Sequence, residues 1–184
     1  MFYYNNLTTL TGKVSMFKLL VLILITSFSL QAYESEDELK VILIGKISKY
    51  ISYKDKINDN FIITVLKNPF GDLFTSTYQN KTIKSKPVLI KYIQNIKDLS
   101  ETHILYIPKL KAKELSSVLK TCHKKSIVTI SDSRGFAQRG GLIQLYSVSQ
   151  KLKLKINIYE AKQQNIKIEH TLLRIADVVK GKKQ

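Results

Sequence analysis

Four short runs of apolar, largely β-branched residues punctuate the middle of this 184-residue chain: Phe61 to Leu66, Pro87 to Tyr92, His103 to Ile107 and Ser126 to Ile130. Runs of five or six residues with so little polar alternation read as strands buried on both faces, and such strands belong to a parallel sheet covered by helices. Lys67-Asn68-Pro69 closes the first run and Pro108 the third, so neither is the start of a longer helix. With 7 Gly, 3 Pro and no low-complexity tract, collagenous, coiled-coil and wholly disordered chains are excluded. The single cysteine, Cys122, closes no intrachain disulfide, and no four closely spaced Cys/His ligands suit zinc. The fold must be held by its core.

Between these runs the spacing predicts helices. Ser35 stands three before Glu38, a capping box, and Leu39, Leu43, Ile47, Tyr50 and Ile51 follow at helical intervals, giving an opening helix to about Tyr53. Pro69-Phe70-Gly71-Asp72 opens a turn and a short helix toward Tyr78. Leu115, Val118, Leu119 and Cys122 fall at i, i+3, i+4 and i+7 among lysines that form the wet side. Leu142 to Val148, a Ser149-Gln150 turn, and Leu152, Leu154, Ile156 and Ile158 alternating with lysines and Asn157 predict an antiparallel hairpin. Asn157 and Glu160 repeat the cap spacing and start a short helix to about Gln164. Ile168, Leu172, Ile175 and Val179, flanked by Leu173 and Ala176, predict a closing amphipathic helix. The expected fold class is therefore α/β: a layered α/β sandwich with a mixed sheet, a late antiparallel hairpin and a C-terminal amphipathic helix.

Leu19 to Leu30 is an apolar run preceded by Lys18 and followed by Gln31-Ala32 and an acidic stretch. It is too short to span a membrane and reads as a signal peptide over residues 1–32, with Met16-Phe17-Lys18 a more ordinary start than Met1. Residues 33–184 then form one domain, delivered to the periplasm. Lys and Arg number 30 against 14 Asp and Glu; export removes Lys13 and Lys18, leaving 28 against 14, a net charge of +14. A basic exported protein meets acidic proteins and anionic membrane surfaces rather than nucleic acid.

The turn Asp132 to Gly141 holds the densest chemistry. Arg139 beside Gly140-Gly141 could direct a guanidinium and backbone N–H groups at a carboxylate or phosphate. The alternative is a strand-entry turn in which glycines supply positive φ and Arg139 pairs with Asp132. Asn157 shares the solvent parity of three lysines, open to a ligand role, although its cap already accounts for it. Cys122 and His123 are adjacent, not at metal-ligand spacing, and Cys122 lies on the apolar stripe. His103, His123, His170, Ser131 and Asp132 fall in no catalytic motif, so no enzyme activity and no cofactor are expected.

Asp132, Gly135-Phe136-Ala137-Gln138-Arg139-Gly140-Gly141, Ile156-Asn157, Ile166-Lys167-Ile168 and Leu172-Leu173-Arg174-Ile175-Ala176 follow a pattern D-x-x-G-F-A-x-R-G-G, a strand ending in I-N, and a last L-L-x-x-A helix. In this the chain resembles the YfiR-like family of exported bacterial proteins, and Pro69-Phe70-Gly71, Pro87-Val88 and His103 to Ile107 extend the resemblance over nearly the whole mature chain. The resemblance implies a periplasmic protein, often a homodimer, that binds the sensor domain of an inner-membrane diguanylate cyclase and represses cyclic dimeric GMP synthesis and biofilm. It also implies capture by an outer-membrane lipoprotein. Thr102 stands where the family often has Cys, which removes a partner for Cys122. Ile166, Lys167, Ile168 and Glu169, two β-branched residues edged by charge, are the expected partner surface, with plain core packing the alternative. An exported anion-binding sensor domain is the second functional expectation.

Overall fold

The computed structural model describes residues 35–53 and 59–181, so the expected signal peptide lies outside the described residues. The helices are α1 (Glu36–Ser48), α2 (Leu73–Tyr78), α3 (Ala112–Lys124), α4 (Ile158–Gln163) and α5 (His170–Arg174). The strands are β1 (Ile51–Ser52), β2 (Phe61–Leu66), β3 (Thr82–Ile83), β4 (Lys86–Ile93), β5 (Ile104–Tyr106), β6 (Val128–Ser131), β7 (Ile143–Val148), β8 (Lys151–Asn157), β9 (Lys167–Ile168) and β10 (Asp177–Val179).

Eight strands form one mixed sheet in the order β10-β8-β7-β6-β5-β2-β4-β3. The four apolar runs supply β4, β2, β5 and β6, which pair in parallel, and β7 joins β6 in parallel. Of the four, β2, β5 and β6 are buried on both faces as expected, but β4 is not: near the edge of the sheet, with only two-residue β3 beyond it, it alternates between half-buried and exposed, and Leu89 and Tyr92 reach solvent. The expected hairpin is present: β8 returns antiparallel to β7, its turn made by Ser149 and Gln150, both at positive φ. Antiparallel β1 and β9 form a separate two-stranded ribbon.

Alternation along the central strands divides the core between the two faces of the sheet. Ile63 and Val65 of β2 and Ile104 and Tyr106 of β5 meet Val41, Ile44 and Ile47 of α1 and Phe74 of α2. Their neighbours Leu66 and Leu105 meet Leu115, Val118 and Cys122 of α3, together with Phe136. The expected α3 stripe is thus buried, each aliphatic side chain contributing roughly 1.5–3 kcal/mol. Ser35 caps α1 as its spacing predicts, accepting from Glu38 N at 3.1 Å.

Two expected boundaries differ. The opening helix stops at Ser48, because Ile51 and Ser52 turn into β1 to pair with Ile168 and Lys167. The closing helix ends at Arg174 instead of running to Val179, and Asp177–Val179 adds a strand parallel to β8. Leu172 is buried while Ile175 is 71% exposed, so the apolar stripe does not continue around a helix. Val178 and Val179 suit a strand, and as β10 they satisfy the outer edge of β8.

Candidate functional site

Immediately after β6 the chain enters the Asp132 turn, and Asp132 is the meeting point of three elements. Its Oδ2 receives Lys40 Nζ from α1 at 2.9 Å, and its Oδ1 accepts from the Tyr106 hydroxyl of β5 at 2.9 Å. Lys40 also reaches Glu36 at 3.1 Å and Asp37 at 3.2 Å. Burial opposes the Lys40 charge, but hydrogen bonds to Asp132, Glu36 and Asp37 outweigh it and lift the ammonium above the ordinary lysine range. The bond from Lys40 holds Glu36 below the ordinary carboxylate range. Burial, then the Asp132 charge, keeps Tyr106 protonated.

The expected pairing of Arg139 with Asp132 is therefore not formed, because Lys40 and Tyr106 occupy both carboxylate oxygens. Arg139 instead closes its own turn, donating Nη2 to Arg134 O at 2.9 Å and Nε to Gly135 O at 3.3 Å. Gly135 and Gly140 take positive φ, as a turn requires, but Gly141 does not. Its hydrogen is needed for space: an added Cβ would stand 2.1 Å from Phe136 Cε1. Phe136 is fully buried, so the two glycines serve different physical ends.

Asn157, expected on the solvent parity of β8, is fully buried. It caps α4 by accepting from Glu160 N at 3.0 Å, and its Nδ2 donates to Ala137 O at 2.7 Å. That second bond draws Asn157 inward, since the turn at 137–139 lies over it. Asp132, Gly135 and Arg139 line one groove with Gln144, Tyr146 and Lys155. The motif thus gathers Asp132 and Asn157 around one clasp between β6 and β8.

The segment Ile166 to Glu169 lies elsewhere. Ile166 is buried in the first core and Ile168 packs against it, half-buried. Lys167 and Glu169 are exposed, while Glu169 N donates to Tyr50 O at 2.9 Å alongside the β1–β9 pairs. Apolar exposure comes from nearby sequence, at Ile175 and Val178, and from Tyr159 on α4.

Among the remaining chemical candidates, His103 is a core residue, its Nδ1 accepting from Ile62 N at 3.0 Å and its ring stacked on Phe61. Thr102 is fully buried; its hydroxyl accepts from Thr64 and shares its one hydrogen between Ile104 O at 2.8 Å and Ile62 O at 3.1 Å. Burial pushes the Cys122 thiol up to about 12. No group of three or more His, Cys, Asp and Glu among the described residues could hold a metal ion. Lys40, Tyr106 and Gln144 were not distinguished by sequence; Lys40 showed only ordinary i−3 and i−4 acid neighbours, which any solvated helix face displays.

Comparison with known families settles the kinship. The model of the YfiR/HmsC-like family matches residues 37–177. This chain belongs to that family. YfiR-like proteins are periplasmic regulators, not catalysts, and act with membrane diguanylate cyclases. Among solved structures, a conserved domain protein from Vibrio cholerae O1 biovar El Tor is similar at TM-score 0.57 and 14% identity, covering 79% of this chain and 60% of that one. An ABC domain from Streptococcus pneumoniae, solved with L-Trp, matches at TM-score 0.49 and 13% identity over 77% of this chain and 60% of its own. The chain thus spans about 60% of the length of each. A search of curated proteins finds no match. No helix among the described residues is long and apolar enough to cross a membrane.

Proposed function

We propose that this YfiR-like protein is exported and binds the periplasmic sensor domain of an inner-membrane diguanylate cyclase, repressing cyclic dimeric GMP synthesis and with it biofilm formation. The observation that carries this reading is the family match, which runs from the first turn of α1 to the first residue of β10 and so takes in nearly all of the described domain. Repression is a population shift: the regulator lowers cyclase output by binding its inactive conformation more tightly than its active one. The docking surface is the region of Ile166 to Glu169, where Lys167 and Glu169 reach solvent and Ile175 and Val178 add exposed apolar area. Buried Ile166 and half-buried Ile168 hold that surface in place. The net positive charge accelerates encounter with an acidic partner face, and added salt slows it. An outer-membrane lipoprotein that captures the same surface would relieve repression.

The test is cellular cyclic dimeric GMP in a strain deleted for the gene, complemented with the exported chain or with one lacking residues 1–32. Deletion should raise the level, and only the exported form should restore it. A paired Lys167→Glu and Ile175→Asp variant should stay folded yet fail to restore it. Unchanged cyclic dimeric GMP on deletion would refute the reading, and full restoration by the folded variant would refute the surface.

A further inference from the structure

The hairpin β7–β8 is covered unequally on its two faces. Ile143, Leu145, Leu154 and Ile156 pack into the first core. On the other face, Gln144 and Tyr146 share the parity of Lys155, which stands directly across from Gln144. The turn at 137–139 covers the start of this face and leaves a groove of about 820 Å³ beside it.

The groove's charge is one-sided. Arg134, Arg139 and Lys155 line it against a single lining carboxylate, Asp132, whose two oxygens are occupied by Lys40 and Tyr106. Asp177, paired in register with Lys155, accepts a short hydrogen bond from Tyr146. Lys155 itself lies over the Tyr146 ring, 5.0 Å from its centroid. The acids at the groove are thus already bonded to other groups, while Arg134 and Lys155 line it with no acidic partner among the described residues, and Arg139, although it spends Nε and one Nη2 hydrogen on turn carbonyls, keeps further N–H groups.

Two amides add unspent hydrogen-bonding capacity. Gln144 is only 5% exposed, and its Oε1 accepts from Ala137 N at 3.3 Å, which fixes the side chain. Its Nε2 has no partner among the described residues although the side chain lines the groove. Gln138, also lining it, keeps a buried Oε1 without a hydrogen-bond partner. A ligand offering both an anionic oxygen and an O–H donor satisfies the two together.

We propose that this groove is a binding site for a small oxyanion accompanied by an O–H donor, hydrogen phosphate or a phosphate ester whose alcohol portion keeps a free hydroxyl, held by Arg134, Arg139, Lys155 and the Gln144 amide with its donor toward Gln138. The site is independent of the docking surface proposed above, so either can fail alone. Guanidinium groups match the paired oxygens of such an anion.

Isothermal titration calorimetry with inorganic phosphate at pH 8 and constant ionic strength, on the protein purified in its cellular form, tests this. Phosphate should bind, and sulfate, of the same shape and charge but lacking the O–H, should bind at least tenfold more weakly. Paired Arg134→Gln and Lys155→Gln substitutions should weaken phosphate at least tenfold, whereas Lys113→Gln with Lys162→Gln, which removes the same charge elsewhere, should leave it within twofold. Glycerol 3-phosphate and phosphatidylglycerol vesicles, each compared with the groove variant, separate a free ester from a lipid head group; groove-dependent binding of either supports the site. No binding, equal binding of sulfate, or equal losses in the groove and control variants would overturn the proposal.

Discussion

Replacing Gly141 with Ala adds one methyl group, and the geometry gives the consequence in some detail. The new Cβ would lie 2.1, 2.3 and 2.5 Å from Cε1, Cδ1 and Cζ of Phe136, where ordinary contact begins near 3.4 Å. The ring or the strand entry must therefore move by roughly 1.3 Å. Phe136 is fully buried beside α3, so the ring has nowhere open to go. Overpacking of a well-filled core costs about 1–3 kcal/mol, and an aromatic edge met this closely belongs at the upper limit. For a domain of this size, about 3 kcal/mol lowers Tm by roughly 10 °C. Gly140→Ala should cost less, about 1–2 kcal/mol, because its backbone is left-handed but its surroundings have room. The check is urea and thermal unfolding of both variants and of Gly141→Ala combined with Phe136→Leu. The smaller side chain should recover part of the loss. A Gly141→Ala protein melting within about 2 °C of wild type, or no recovery in the double variant, would refute the close-approach explanation.

Lys40→Met should destabilise by about 2 kcal/mol, since it leaves the half-buried Asp132 without its cation, and urea unfolding at pH 7 measures this. Glu36, held low by Lys40, contributes stability above the ordinary carboxylate range that is lost as pH falls, whereas Lys40, held high, contributes until pH rises past the ordinary lysine range. Between pH 7 and 3, wild type should therefore lose more stability than Lys40→Met. Asn157→Ala should cost about 2–3 kcal/mol by thermal unfolding, the cap plus the orphaned Ala137 carbonyl, and Asn157→Ser, which keeps a capping oxygen, less. Cys122, 1% exposed with its thiol pushed up to about 12, should resist a thiol reagent at pH 8 until the protein unfolds, when one equivalent reacts.

What the chain shows in its sequence is what adjacent residues decide. Ser35 with Glu38 and Asn157 with Glu160 are caps within one turn of helix, and both form as their spacing predicts. Three of the apolar runs needed no partner to be recognised as buried strands, whereas Pro87 to Tyr92 became β4, whose burial depends on lying next to the short β3 near the sheet's edge. Asp132 offered no comparable signal, because Lys40 lies 92 residues away and no local pattern couples them. Of the two sequence alternatives for Arg139, an anion or a pairing with Asp132, the second fails because the structure gives its guanidinium backbone carbonyls of its own turn. The stripe from Ile168 to Val179 failed for a different reason: helical period and β-branched strand residues coincide there, and the open edge of β8 decides between them. Gly141 looked like a turn residue because no pattern reveals that Phe136 folds back against it.

The order of strands also governs how such a chain can come together. Only β3–β4 and β7–β8 are antiparallel hairpins, and β3 contributes just two residues; β5–β6 and β6–β7 join consecutive strands in parallel, across longer connections. Central β2 must wait for β4 and β5, each delivered after an intervening segment, and β10 can settle only once β8 is in place. Pairings so remote along the chain make folding slow compared with helical or hairpin-rich domains of the same length. Under the export proposed above, slowness would be useful: the chain would stay extended on the near side of the membrane and acquire its sheet after arrival.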